Sequence, residues 1–166
     1  QFEEIEIFKK LQDLNPNKWS IATSGVRLNQ FYGIEIDDFA HETTKISLWL
    51  AQHQMNLLFK EVFGELKPTL PLTDSGVIKC DNATRIDWEK FCSKDSKNDI
   101  YLLGNPPYLG SSNQSLTQKE DMEIVFKGQK KYKSLDYVSC WLLLASKYIE
   151  NTNYKCGLVT TNSITQ

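Results

Sequence analysis

The chain has 166 residues and a net charge of −2, with 40% of its residues apolar and 24% charged. That size and mixture fit one globular domain with a buried core and exclude a disordered polymer, while the charge excludes a surface that grips nucleic acid all over. No apolar run approaches the roughly 18 residues of a bilayer helix, and the opening QFEEIEIFKK is acidic where a signal peptide is basic, so no membrane and a cytoplasmic location are expected.

In chain order, Ile5, Phe8, Leu11 and Leu14 repeat at helical spacing, which predicts a helix over 2–14 ended by NPNKW. The linker SIATSGVRLNQ comes next, and then FYGIEI (31–36), an apolar run ending in acids that reads as a buried parallel strand. Asp37 or Asp38 can cap a long helix over 38–59, with Phe39, Thr43, Ile46, Leu50 and Leu57 on one face. After the turn-rich GELKPTLPLTDSG come two further strands, VIKC (77–80) and DIYLLG (99–104). The polar stretch 110–133 contains one short helix near 117–127 and the basic run KGQKKYK, where Lys127, Lys130, Lys131 and Lys133 read first as a solvated loop. Leu135, Val138, Trp141, Leu142, Ala145, Tyr148 and Ile149 predict a strong helix that Ser134 could cap, and CGLVTT (156–161) a last strand. Alternating strands and helices predict an α/β fold with a mostly parallel sheet. Trp49, Trp88 and Trp141 read as core. Cys80, Cys92, Cys140 and Cys156 form no C-x-x-C pair, so neither a metal site nor a disulfide framework is expected.

The apolar run YLLG stops in Asn105-Pro106-Pro107-Tyr108. A strand of a parallel α/β sheet delivers its next residues to the carboxyl edge, where such folds bind ligands. Two prolines stiffen the turn and remove two donors, leaving carbonyls free to accept. The Asn105 side-chain oxygen and the Pro106 carbonyl make a pair of acceptors for a planar amine, and Tyr108 offers a face for a ring. Two acceptors on an exocyclic amine draw its nitrogen toward tetrahedral geometry and free the lone pair. No strong general base is needed, which suits a chain whose two histidines, His41 and His53, both fall on the 38–59 helix.

GNPPY resembles the fourth motif of the amino-group DNA methyltransferases. FYGIEIDDFAHETTKISLWLAQHQMN, NPPYLGSSNQSLTQKEDMEIVF, LDYVSCWLLLASKYI and LVTTNSITQ together resemble the methyltransferase domain of the MmeI-like restriction-modification enzymes, over residues 31–166. The resemblance implies the Rossmann-like fold of a class I methyltransferase, with S-adenosylmethionine as cofactor and double-stranded DNA carrying a flipped adenine as partner. It implies that Glu35 holds the ribose hydroxyls of the cofactor, that Ile36 packs on its adenine and that Asp81 accepts from the adenine amine. Asn82 stands next, where relatives often carry an aromatic ring. Asn105, Pro106, Pro107 and Tyr108 form the catalytic tetrapeptide, and Asp136 and Tyr137 are further site candidates. No metal is implied.

A glycine-rich first motif is absent before Phe31. The expectation is therefore that residues 1–30 are a helix and linker ending a preceding segment, that 31–166 are the central part of the catalytic domain, and that the target-recognition domain and any fused nuclease lie outside this sequence. The first strand and the last strands of the family's sheet are then expected to be missing, leaving a gap or a rearranged sheet. By itself such a piece is expected to be inactive. Two other readings stand beside the leading one: a protein glutamine N5-methyltransferase, whose substrate amide suits the same acceptors, and a non-catalytic methyltransferase-like binding domain.

Overall fold

The computed structural model describes residues 2–14, 25–64, 76–95 and 97–162. The chain divides into two compact units, 1–81 and 82–166, each with one two-stranded parallel sheet. No ladder joins the two sheets among the described residues, so the strands stand as two separate pairs, and the fold is α/β with parallel pairing throughout. No described helix is long and apolar enough to cross a membrane.

In the first unit, β1 (Tyr32–Glu35) pairs with β2 (Val77–Cys80), placing Glu35 beside Cys80. Gly76 opens β2 at φ +81°, and a Cβ there would come within 2.9 Å of Leu48, so only glycine fits both the turn and the helix above it. That helix, α2 (Asp38–Phe63), starts where the Asp37 carboxylate accepts the amide of Ala40 at 2.8 Å. α1 (Phe2–Leu14) packs on the far end of α2 through Phe8, whose ring meets Phe59 and Phe63 edge-on at 6.3 and 6.1 Å.

Two expectations change here. Leu11 and Leu14 are exposed, so α1 uses only Ile5 and Phe8 of its stripe. On α2 the predicted stripe faces solvent: Phe39 is 81% exposed and Ile46 65%, with Leu50 and Leu57 also outside. The helix is apolar on two sides, so periodicity could not choose between them. What chooses is the strand pair, where His41 donates from Nε2 to the Ile78 carbonyl at 3.1 Å and Leu48 sits over Gly76. NPNKW and most of the linker lie outside the described residues.

In the second unit, β3 (Tyr101–Gly104) pairs with β4 (Lys155–Leu158), which ends earlier than the 156–161 run suggested. α3 (Trp88–Phe91) is a single turn capped by Asp87, whose carboxylate accepts the amides of Glu89 and Lys90. α4 (Leu116–Val125) carries the reciprocal Ser115–Gln118 cap. α5 (Ser139–Ile149) begins four residues later than its apolar pattern, and Ser134 does not cap it. Met122, Val125, Phe126, Tyr137 and Cys140 form the core, with Leu109, Tyr132 and Trp141 packed against it. Burial pushes the Cys140 thiol up to about 12, so this cysteine is an inert core residue. Trp49, Trp88 and Trp141 are all half-buried, less deep than core residues.

Candidate functional site

The turn after β3 has a fixed backbone and free functional groups. Pro106 is buried and anchors it, whereas Asn105 and Pro107 are exposed and Tyr108 is 50% exposed. Among the described residues, the Asn105 amide, the Pro106 carbonyl and the Tyr108 hydroxyl take no hydrogen bond. The next residue is held from three sides. Leu109 donates its amide to Asp136 Oδ1 at 2.8 Å, and its carbonyl accepts from the Tyr137 amide and from Gln114 Nε2, both at 3.0 Å. Asp136 Oδ1 also accepts the Val138 amide at 3.0 Å, which is why these residues turn instead of continuing α5 backwards.

Behind this turn lies a buried carboxylate. Asp121, 1% exposed on α4, accepts from Tyr137 Oη at 2.6 Å, Arg85 Nε at 2.6 Å and Asn82 Nδ2 at 3.1 Å. Burial pushes its pKa up, but the donors, Tyr137 first and then Arg85 and Asn82, outweigh burial and hold it below the usual aspartate value. Tyr137 is driven well above the ordinary tyrosine range, by its own burial and by the Asp121 charge. Arg85 is raised as well, chiefly through its hydrogen bond to Asp121.

This network fixes Asn82. Its Oδ1 accepts both the amide and the hydroxyl of Thr84 at 2.9 and 2.7 Å, so the side chain builds the 82–85 turn and offers no stacking face. In the first unit, β1 and β2 bring Glu35 and Asp81 together, the Asp81 amide donating to the Glu35 carbonyl at 2.9 Å. Glu35 Oε1 takes the amides of Ile36 and Asp37 at 2.9 and 3.2 Å, which locks the carboxylate at the strand end and leaves Oε2 to accept from hydroxyls. Ile36, 69% exposed, gives that strand end an apolar surface and no part in a core. The Asp81 carboxylate meets Lys79 Nζ at 3.0 Å. His41 is tied to Ile78 and lies 3.0 Å from Glu42, in keeping with a structural role. No group of three His, Cys, Asp or Glu side chains suited to a metal occurs among the described residues.

Sequence reading alone did not find Gln114, Asp121 or Arg85. A signal for Asp121 was present: it interrupts the buried positions of α4, beside Met122 and one turn before Val125, where a charge must have partners. Gln114 gives no local signal at all.

Comparison with known proteins is consistent across three measures. The family model of the MmeI DNA-methyltransferase domain matches residues 2–166. The chain is 47% identical over 164 residues to DNA methyltransferase A of Bacillus subtilis (strain 168), a match that takes in 98% of this chain and 18% of that protein. A solved structure of the Type IIL restriction-modification enzyme MmeI in complex with DNA is similar with a TM-score of 0.87 and 36% identity, over 99% of this chain and 22% of that one. The chain thus spans about a fifth of the length of these relatives.

Proposed function

Because the chain belongs to the family of the MmeI DNA-methyltransferase domain, we propose that it is the part of a DNA adenine-N6 methyltransferase that receives an adenine flipped out of duplex DNA. The observation that carries this reading is the contrast at the end of β3: a backbone held at Leu109 beside an amide, a carbonyl and a ring that no group among the described residues uses. Asn105 Oδ1 and the Pro106 carbonyl accept the two hydrogens of the exocyclic amine. That pulls the nitrogen toward tetrahedral geometry and makes its lone pair available. Tyr108 stacks on the flipped base, and rigidity at Leu109 holds the acceptors where the amine arrives. S-adenosylmethionine, when bound, supplies an electrophilic methyl group. Glu35 fits its ribose through the uncommitted Oε2, and Ile36 fits the face of its adenine. Asp81 is the further acceptor at that strand end, shared with Lys79, while Asn82 serves the 82–85 turn.

A DNA substrate implies a cytoplasmic activity. Asn105→Ala removes one acceptor for the amine, a loss of about 2.7–4 kcal/mol in the transition state, or roughly 100- to 1000-fold in rate, with cofactor binding less affected. Tyr108→Phe keeps the stacking face and stays near the parent, whereas Tyr108→Ala loses about 1–3 kcal/mol of base capture. Single-turnover methylation by the whole protein, read as N6-methyladenine by mass spectrometry, checks both. Parental rates in Asn105→Ala would remove the role assigned here, and a methylated glutamine in place of methyladenine would move the substrate from DNA to protein.

A further inference from the structure

The segment from Lys127 to Lys133 joins α4 to the turn that carries Asp136, and its four lysines are all exposed. Among the described residues, no carboxylate forms an ion pair with any of them. Elsewhere Lys9, Lys45, Lys79, Lys90 and Lys94 each hold an acid at 3.0–3.7 Å, whereas here four lysines within seven residues hold none among the described residues. Four like charges in seven residues repel, and an ordinary solvated loop would relax by spreading. This one is held. Phe126 and Tyr132 stack with centroids 5.4 Å apart and planes 7° from parallel, which closes the segment across its base. Gln129 donates its amide to the Phe126 carbonyl at 2.8 Å and Leu135 to the Tyr132 carbonyl at 2.9 Å. Lys131 sits at φ +66°, a left-handed conformation unfavourable for a non-glycine residue that persists only because its surroundings impose it.

The exit of the segment is tied to the turn after β3. The buried Gln114 amide donates to the carbonyls of both Leu109 and Leu135 at 3.0 Å, so one side chain sets the spacing between the lysines and Tyr108. We propose that Lys127, Lys130, Lys131 and Lys133 form a phosphate-binding surface for duplex DNA, clamping the backbone beside the nucleotide that Tyr108 receives. This rests on the reading of Asn105 to Tyr108 as the target-base loop. Lysine ammoniums are point charges that hold phosphates without reading sequence, and flipping a base requires the flanking backbone to be fixed in register. Tyr132 is occupied by Phe126 and serves the loop, not a base. Glu123 lines a hollow with Lys119, Tyr132 and Lys133, while Lys127, Lys130 and Lys131 are exposed and do not line it.

Salt titration of duplex binding by the whole protein tests this. In a variant with all four lysines changed to Gln, the slope of log affinity against log salt should flatten by about 0.9 for each phosphate no longer neutralised, hence by roughly two to four. Binding should weaken equally on cognate and random duplexes, with S-adenosylmethionine affinity at the parental value by calorimetry. The variant with all four changed to Arg keeps the charges and should keep the slope. A parental slope in the Gln variant overturns the surface while leaving the base loop standing, provided the parent methylates DNA. A parent that neither binds nor methylates duplex DNA overturns both.

Discussion

Burying a carboxylate costs free energy that only close donors offset, and Asp121 has three within 3.1 Å. Because its folded pKa lies below the unfolded value, the stabilisation is fully present above the ordinary aspartate range, about 3.9, and is lost as pH falls through the lowered folded value. Asp121→Asn keeps the shape and removes the charge. At neutral pH it should cost about 1.5–3 kcal/mol, the range for hydrogen bonds to a charged group, at the lower end because Arg85 remains half in solvent beside Glu120. The difference from the parent should shrink on acidification and vanish once Asp121 is protonated. Urea unfolding followed by tryptophan fluorescence at several pH values reads this directly, and a pH-independent difference would mean that packing, not charge, holds Tyr137. The same side chain is linked to the proposed base loop through Tyr137, whose amide donates to the Leu109 carbonyl.

The turn from Asn105 to Gly110 is the element on which the proposed chemistry stands, and Asp136 ties it to the rest of the unit through the Leu109 amide. Asp136→Ala breaks the bond to the Leu109 amide and should lower turnover by about 10- to 150-fold if the whole 1.5–3 kcal/mol appears in the transition state. Cofactor affinity should hold, and Asp136→Asn, which keeps an acceptor, should recover most of the rate. Equal losses in Ala and Asn variants would assign Asp136 to folding instead. This tie also marks where sequence reading stops. β1, β2 and β3 were legible because short apolar runs bounded by acids, glycine or proline have few other uses, whereas the 117–127 helix was placed one residue late because the Ser115–Gln118 cap that starts α4 went unread. The turn that Asn105 and Pro106 make after β3 was legible, because two prolines cannot continue a strand ladder. The start of α5 was not, since Asp136 is drawn 27 residues back to Leu109 and no local pattern encodes that partner. The outward stripe of α2 was misread for a related reason: two apolar faces compete, and packing against β2 decides between them.

Across the whole molecule, order is distributed between two units whose sheets contain two strands each. Phe39, Ile46, Leu50 and Leu57 leave an exposed apolar stripe along α2 in the first unit. The strand pairs carry a further consequence, on the time scale of amide hydrogen exchange. Among the described residues every strand has one neighbour, so its amides alternate between a bonded side and an open edge. The amides of Val77, Asp81, Lys155 and Val159, bonded to the carbonyls of Phe31, Glu35, Ile100 and Gly104, should exchange slowly with deuterium, while those of Ile78, Cys80, Cys156 and Leu158 should exchange fast. A period-two pattern of protection along β2 and β4 is therefore expected for the 166-residue chain, resolved by NMR. Uniformly slow exchange along either strand would mean that another backbone had taken up the open edge, and the position of the newly protected amides would identify which one.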